Sequence, residues 1–263
     1  MEKAALAATG ETQDSPQHRL DAARHGRAEV IPERLAVITG GNKGVGLEVC
    51  RQLACQGVTV ILTARDEKRE KDAAEFLRSE SKLPNIIFHQ LDVRDDNSVT
   101  SLAQYIESTY GKLDILVNNA AVSGIVAYEE GLKALNMDAE TWTSGRAAKL
   151  LKELSTSGAR IVNASSLVSE LKRMPNEKLR NDLSNISIWD EDRIEAVLNT
   201  FLEDLKNGRL EEAGWLMMLP TYTVLKMFIN LYTRIMARRY PKMRINCVRP
   251  GFVKTDISWG FHT

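Results

Sequence analysis

Short apolar runs alternate along the chain with longer segments in which apolar residues recur every three or four positions. Short, continuous apolar runs predict buried β-strands, and a period near 3.6 residues predicts amphipathic helices. Six runs predict strands, at residues 35–39, 58–63, 85–91, 113–121, 159–164 and 244–251, where the fourth and sixth ranges include the strand exit. The periodic segments predict helices at residues 45–56, 67–80, 96–110, 147–154, 190–205 and 222–239.

The alternation of strands and helices indicates the fold class. Strands that alternate with helices pair in parallel and are joined by right-handed crossovers. The pattern therefore predicts an α/β fold, a Rossmann-like doubly wound parallel sheet with helices on both faces. Asp96 or Asn97 is expected to cap the third helix, since both residue types favour that position.

The first predicted strand leads directly into a glycine-rich turn and then a helix. Thr39 and Gly40 end the strand, and Gly44 and Gly46 follow with the spacing G-x-x-x-G-x-G. Such a turn directs backbone N–H groups and a helix N-terminus at a phosphate, so it suits a pyrophosphate. A purely structural strand-to-helix turn is the alternative at this point.

Two cations lie near the end of the second predicted strand. Arg65 follows that strand, and Lys43 lies in the glycine turn. In dinucleotide folds this corner meets the adenosine ribose, where an acidic residue binds a free 2′-hydroxyl and an arginine accommodates a 2′-phosphate. The pair favours NADP(H) over NAD(H), with two solvated surface charges as the alternative.

Charge and composition limit the kinds of partner and the cellular compartment that we expect. The 35 Lys and Arg residues equal the 35 Asp and Glu residues, which gives no reason to expect a nucleic-acid or membrane partner. No apolar run is long enough to span a bilayer, and three scattered cysteines fit a cytoplasmic protein. Residues 1–31 are polar and predict a disordered tail, followed by a single domain over 32–263. The four histidines have no triad or metal spacing, so no metal site is expected.

Polar residues with catalytic potential come late in the chain. Ser166 follows the fifth predicted strand, within Asn163-Ala164-Ser165-Ser166. Tyr222 and Lys226 are four residues apart in a predicted helix, which places them on one face. A core tyrosine beside a surface lysine is the alternative interpretation of that pair.

Taken in order, these motifs resemble the short-chain dehydrogenase/reductase family. The resemblance implies Ser166, Tyr222 and Lys226 as catalytic residues: the tyrosine exchanges a proton with the substrate oxygen, the lysine lowers the tyrosine pKa, and the serine orients the carbonyl. Asn163 is expected to bond across strand ends. The residues that the resemblance assigns to binding of NADP(H) are Thr39, Gly40, Asn42, Lys43, Gly44, Val45, Gly46, Arg65, Asp92, Val93, Asn119, Tyr222, Lys226, Pro250, Gly251, Val253 and Thr255.

The long interval between Ser166 and Tyr222 is similar to that of the family's monomeric carbonyl-reductase-like branch. Residues 170–219 form this interval and predict a mostly helical insertion. The resemblance implies a cytoplasmic monomer of plant secondary metabolism. It also implies NADPH-dependent reduction of a bulky or cyclic ketone of terpenoid or alkaloid type, with the ketone or its alcohol as the only partner.

The chain departs from that branch in two places. The N-Y-Y-G segment, whose asparagine completes a catalytic tetrad, has no match between residues 121 and 159, where Asn136 is the one asparagine. The sequence also ends at Thr263, where the family continues into another helix and strand, so the sixth strand is expected at an exposed edge. The alternative function is therefore a catalytically impaired, splice-type variant that only binds cofactor or a partner.

Overall fold

The computed structural model contains one six-stranded parallel sheet. It describes residues 34–65, 67–120, 155–251 and 253, with the backbone alone at 67–70 and 155–157. The strands run in the order β3-β2-β1-β4-β5-β6, and every pair of neighbours is parallel. The strands are β1 (Leu35–Thr39), β2 (Thr59–Ala64), β3 (Ile86–Gln90), β4 (Leu113–Asn118), β5 (Ser155–Ala164) and β6 (Arg244–Val248). This order is the doubly wound one, so the predicted fold is confirmed.

Six α-helices and three 3₁₀ turns complete the described part of the chain. The helices are α1 (Gly44–Cys55), α2 (Glu67–Ser79), α3 (Asp96–Tyr110), α4 (Glu177–Ser184), α5 (Glu191–Lys206) and α6 (Pro220–Arg239). The 3₁₀ turns are Leu167–Ser169, Leu171–Arg173 and Ile186–Ile188. Helices α4 and α5 lie within the predicted insertion, which is helical as expected.

Buried apolar residues pack on both faces of the sheet. On one face, Ala36, Ile38 and the alternate positions of β2 and β4 contact α1 and α2 through residues such as Cys50 and Leu77. On the other face, Val37 and the buried apolar residues of the neighbouring strands that share its face belong to a larger cluster. That cluster joins α3, the insertion helices and α6, for example through Ile106, Phe201 and Phe228. The insertion therefore shares a core with the helix that carries Tyr222 and Lys226.

The insertion is anchored by a buried polar contact as well as by apolar packing. The Asp204 carboxylate accepts hydrogen bonds from Trp215 Nε1 at 3.0 Å and from Arg209 at 3.1 Å. The Trp215 ring packs edge-on against Phe201, with ring centres 5.1 Å apart. These contacts fix the end of α5 against the segment that leads into α6.

Two local predictions were wrong. The cap of α3 is Asp95, whose side chain accepts a hydrogen bond from the N–H of Asn97; the sequence pointed to Asp96 or Asn97. Strand β5 begins at Ser155 rather than at residue 159, because its pairing with β4 continues past a register shift. Gly158 allows this irregularity by adopting a φ of +96° inside the strand.

Several sequence predictions concern other parts of the chain. The tail at 1–31, the helical stretch at 147–154, the interval around Asn136 and the end of the chain from residue 254 lie outside the described residues. Among the helices that are described, none has the length and apolar character needed to cross a membrane.

Candidate active site

The glycine turn after β1 is closed so tightly that a side chain cannot enter it. Gly40 and Gly44 have positive φ angles of +64° and +55°. A Cβ atom at Gly46 would collide with the carbonyl oxygen of Gly40 and with the side-chain amide of Asn119. The spacing of the glycines is therefore explained by the backbone conformation and by the close approach of α1 to the turn.

Residues of β1 and β4 brace this turn. Asn119 Nδ2 donates hydrogen bonds to the carbonyl oxygens of Thr39 at 3.0 Å and of Gly40 at 3.1 Å. The Thr39 hydroxyl accepts from the backbone N–H groups of Asn119 and Ala120 and donates to the Val117 carbonyl. Thr39 and Asn119 were predicted to contact the cofactor, and in the structure they hold the turn that would do so.

The N-terminus of α1 lacks a side-chain cap, as does that of α6. Lys43 precedes the helix in an extended conformation and makes no capping hydrogen bond, and the first turn contains no acidic residue. By contrast, Asp95, Asn176 and Asp190 cap α3, α4 and α5. The first N–H groups of a helix need partners from outside it, and an anion can provide them. This end of α1 therefore fits a phosphate group.

Positive charge gathers at the ends of β2 and β3. Arg65 follows β2 and Lys43 lies in the glycine turn after β1, and both side chains are exposed. The Asp92 carboxylate accepts hydrogen bonds from Arg94 at 3.1 and 3.2 Å, and these bonds, followed by the nearby charge of Arg65, hold its pKa below the usual range. Arg94 was not among the predicted site residues, although it lies beside Asp92 and the exposed Val93. Its positive charge, two residues after Asp92, was the available signal.

Ser166 lies where β5 ends and the first 3₁₀ turn begins. The N–H of Ser165 donates to the Val248 carbonyl at 2.8 Å, which extends the β5–β6 pairing up to the turn. Ser166 is half-buried, and its Oγ accepts a long hydrogen bond of 3.5 Å from the N–H of Val168. Because Oγ acts there as an acceptor, its hydrogen is available to a substrate oxygen.

Helix α6 connects Tyr222 and Lys226 to the same strand end. Lys226 Nζ lies 5.6 Å from the centre of the Tyr222 ring and donates a hydrogen bond of 2.6 Å to the carbonyl of Ala164, two residues before Ser166. Lys226 is only 6% exposed, and burial lowers its pKa to about 8. Pro220 begins this helix with a preset φ angle, two residues before Tyr222.

Asn163 forms the cross-strand contact that was expected of it. Its Oδ1 accepts from Asn118 Nδ2 at 2.8 Å, and its Nδ2 donates to Thr233 Oγ1 at 2.9 Å. The side chain thus joins β4, β5 and α6 near the site. Its burial and complete bonding agree with a structural role.

The segment after β6 forms the remaining described border of the site. Pro250, Gly251 and Val253 are exposed, and Gly251 has a φ of +80°. Arg249 just before them pairs with Glu170 at 3.2 Å, which links this exit to the start of the insertion. Thr255 lies outside the described residues. In the described part of the chain, no three His, Cys, Asp or Glu side chains come together as a metal site would require.

Comparison with known proteins agrees with this geometry. The family model for short chain dehydrogenase matches residues 34–178, which is more than half of the chain. A (+)-neomenthol dehydrogenase of Arabidopsis thaliana is 41% identical over 258 residues, a match that covers 88% of this chain and 86% of the relative. A carbonyl reductase [NADPH] of Bos taurus is 35% identical, with 85% of this chain and 83% of the relative covered.

A solved structure extends the similarity to three dimensions. Salutaridine reductase from Papaver somniferum superimposes with a TM-score of 0.77 at 36% identity, and the match covers 88% of this chain and 90% of that one. The similarity therefore includes both the glycine turn and the segment with Ser166, Tyr222 and Lys226. The chain belongs to the short-chain dehydrogenase family and is an oxidoreductase that acts between an alcohol and a carbonyl group.

Proposed function

We propose that the chain is an NADPH-dependent reductase of a bulky or cyclic ketone of terpenoid or alkaloid type, with Tyr222 as the proton donor. The observation that carries this proposal is the Lys226 hydrogen bond to Ala164, which holds α6 and its tyrosine against the strand end that bears Ser166. The glycine turn after β1 lies at the same carboxyl edge of the parallel sheet. A nucleotide and a carbonyl substrate could therefore meet at that edge.

The residues around the glycine turn fit a dinucleotide phosphate. The uncapped N-terminus of α1 would bind the pyrophosphate, and the absent Cβ at Gly46 lets the turn close beneath it. Lys43 and Arg65 would pair with a 2′-phosphate, which supports NADPH over NADH. Asn42, Gly44 and Val45 belong to the same proposed cradle, and Pro250, Gly251, Val253 and Thr255 to the proposed nicotinamide end. The bound cofactor would supply the hydride.

The side chains at the other end of the site would deliver a proton to the substrate oxygen. Charge that develops on the carbonyl oxygen is stabilised by a hydrogen bond from Ser166 Oγ, which also orients the substrate. The Tyr222 hydroxyl then gives its proton to that oxygen as a general acid. A free phenol has a pKa of about 10, and the ammonium group of Lys226 stabilises the phenolate that remains.

Exposed apolar side chains beside the reacting groups support a bulky substrate. Leu167, next to Ser166, is 52% exposed, and Met217, Met218 and Leu219 before α6 are 59%, 59% and 40% exposed. A run of three exposed large apolar residues is unusual on a protein surface and indicates a contact region. The names of similar proteins, a neomenthol dehydrogenase and a salutaridine reductase, support the same substrate class.

The proposal includes a monomer in the cytosol. The apolar side of α6 packs against the chain's own insertion, through pairs such as Phe228 and Trp189 with ring centres 5.8 Å apart. Cys55 and Cys247 are exposed free thiols, which fits a reducing compartment. Size-exclusion chromatography with light scattering tests the oligomeric state, and a dimer or tetramer mass would contradict it.

Nucleotide binding tests the cofactor assignment. NADPH is expected to raise the melting temperature clearly more than NADH at equal concentration, because a ligand of the folded state stabilises it. Arg65→Ala should reduce that preference by about tenfold, the effect of roughly 1.4 kcal/mol of lost charge pairing. Arg238→Ala, an exposed arginine at the far end of α6, is the matched control and should leave the preference unchanged.

An activity assay then distinguishes an active reductase from the catalytically impaired variant. A panel of cyclic ketones is mixed with NADPH, and loss of absorbance at the nicotinamide band measures hydride transfer. Consumption of NADPH that depends on both ketone and protein supports the reductase. A cooperative melt with an NADPH shift but no turnover would instead support a cofactor-binding protein, and no shift with either nucleotide would overturn the proposal.

A further inference from the structure

A compact polar cluster lies directly behind Ser166, and the mechanism above does not use it. Ser165 and Ser169 flank Ser166 along the first 3₁₀ turn and are 5% and 1% exposed. The third member is Asn230, on α6 one turn beyond Lys226. We name Ser165, Ser169 and Asn230 the serine clamp. The burial of two hydroxyl groups beside a catalytic turn requires that each find a hydrogen-bond partner.

The polar atoms of the serine clamp lie at hydrogen-bond distances from one another, and the two serine hydroxyls are themselves 3.1 Å apart. Ser165 Oγ donates to Asn230 Oδ1 at 2.6 Å, and Ser169 Oγ donates to the carbonyl of Ser166 at 2.5 Å. Asn230 Nδ2 donates to Ser169 Oγ at 2.8 Å and also faces the Ser169 carbonyl at 3.4 Å. A carbonyl only accepts, so the amide nitrogen must point toward Ser169 and the amide oxygen toward Ser165.

We infer that Asn230 is a positioning residue for Ser166. The side-chain amide of Asn230 bonds to Ser165, the residue before Ser166, and to Ser169, in the turn after it. The Ser169 hydroxyl in turn donates a hydrogen bond to the Ser166 carbonyl, so Asn230 restrains Ser166 from both sides. The helix that supplies Asn230 also carries Tyr222 and Lys226, so the clamp fixes the distance between the serine hydroxyl and the tyrosine hydroxyl. The inference about turnover rests on the proposed reductase function, whereas the clamp itself does not.

A loosened turn would misplace the group that orients the substrate carbonyl. A displacement of about 1 Å in a reacting group can cost about 100-fold in rate. Loss of Asn230 should therefore lower kcat for ketone reduction by about 10-fold to 100-fold, with little change in the Kd of NADPH, because the nucleotide cradle follows β1 and not β5. A residue that served only stability would alter the melting temperature without lowering the kcat of the folded protein.

The experiment compares Asn230→Ala with a matched change on the same helix. Thr233→Val removes a buried hydrogen bond of similar length, from Asn163 Nδ2 at 2.9 Å, but does not touch the Ser166 turn. We expect both variants to melt at lower temperature and only Asn230→Ala to lose kcat. Equal kcat in Asn230→Ala and Thr233→Val would overturn the inference.

Amide hydrogen exchange tests the clamp without any reaction. Peptides that cover residues 165–170 should exchange faster in Asn230→Ala than in wild type, and Thr233→Val should leave them near the wild-type rate. If wild type reduces no ketone and the exchange difference is found, the clamp stands and the proposed function fails. Unchanged exchange in Asn230→Ala would refute the clamp whatever the activity.

A second variant covers the case in which Asn230→Ala does not fold. Ser169→Ala deletes one hydroxyl from the clamp and should also lower kcat and speed exchange at residues 165–170. Because both residues act through the same bond, the double variant should lose little more kcat than Asn230→Ala alone. Wild-type kcat and exchange in Ser169→Ala would refute the inference.

Discussion

The turn after β1 and the turn after β5 lie at the same edge of the sheet, yet they are built in opposite ways. The first is formed by the absence of side chains: Gly46 leaves no room for a Cβ, and the N-terminus of α1 has no side-chain cap. The second depends on buried polar side chains, with Lys226 and Ser165 among the buried residues. The first site should therefore be damaged by added atoms, and the second by removed ones.

Removal of the Tyr222 hydroxyl, on the helix that packs against the second turn, should give the largest effect. Tyr222→Phe keeps the ring beside Lys226 but deletes the proton donor, and general acid catalysis contributes about 100-fold to 10,000-fold. We expect kcat for ketone reduction to fall by a factor in that range. The Kd of NADPH should stay within about threefold of wild type, which corresponds to a change in binding free energy of less than about 0.7 kcal/mol. Stopped-flow reduction and nucleotide titration measure the two quantities. A loss of less than tenfold in kcat would contradict the assigned role.

The buried lysine should make stability depend on pH. Lys226 keeps its proton in the unfolded chain up to its ordinary pKa of 10.5, but in the folded protein burial lowers the pKa to about 8. Between those values the unfolded state binds more protons, so the free energy of unfolding should rise with pH across the window. Below pH 8 the cost of burying the charge is fully present.

Lys226→Met removes this cost. At pH 7 the variant should be more stable than wild type by about 2–3 kcal/mol, after the lost bond to Ala164 offsets part of the gain, and it should be inactive. The difference should shrink as pH rises toward 10.5. Urea denaturation at pH 7 and pH 10 checks this, and a difference that is the same at both values would show that the lysine charge is not penalised.

Addition of one methyl group should damage the first turn. Gly46→Ala places a Cβ against the Gly40 carbonyl, and because this contact is with backbone that cannot easily move aside we expect a loss of about 2 kcal/mol in stability. NADPH binding should weaken by more than about tenfold, since α1 must move away from the turn. Gly57→Ala is the control: Gly57 lies just beyond the other end of α1, with a φ of +74°, and an added Cβ there would have no atom within 4 Å.

The control should cost only the backbone strain, about 1 kcal/mol, and leave NADPH affinity unchanged. Isothermal titration and thermal melts of both variants provide the comparison. Equal NADPH affinities in the two variants would mean that the closeness of the turn to α1 does not matter for binding.

The sequence predicted the architecture well because the strands of a parallel sheet are apolar on both faces. All five residues of β1 are buried, so the run at 35–39 has no polar interruption and its bounds are correct. The pairing of Tyr222 with Lys226 was also predictable, since a four-residue spacing places two side chains on one helix face. In both cases the prediction required only the pattern of residues that are close together in the sequence.

Other features depend on contacts that local sequence does not specify. Three adjacent polar residues could each have capped α3, and the path of the chain out of β3 selects Asp95. Asn230 has no local signal, because its partners Ser165 and Ser169 are more than sixty residues earlier. The extension of β5 through Gly158 likewise follows from pairing with β4 and not from its own sequence.

The parallel pairing of β5 with β6 has a consequence for the order of events during synthesis. Strand β1 can pair with β2 and β4 as soon as residue 118 has left the ribosome, whereas the N–H of Ser165 has no partner until Val248 emerges. The half of the sheet that carries the glycine turn can thus be completed first, and Ser166 is fixed only near the end of translation. A chain released early would hold the glycine turn in place while the strand end at Ser166 still lacked its partner strand.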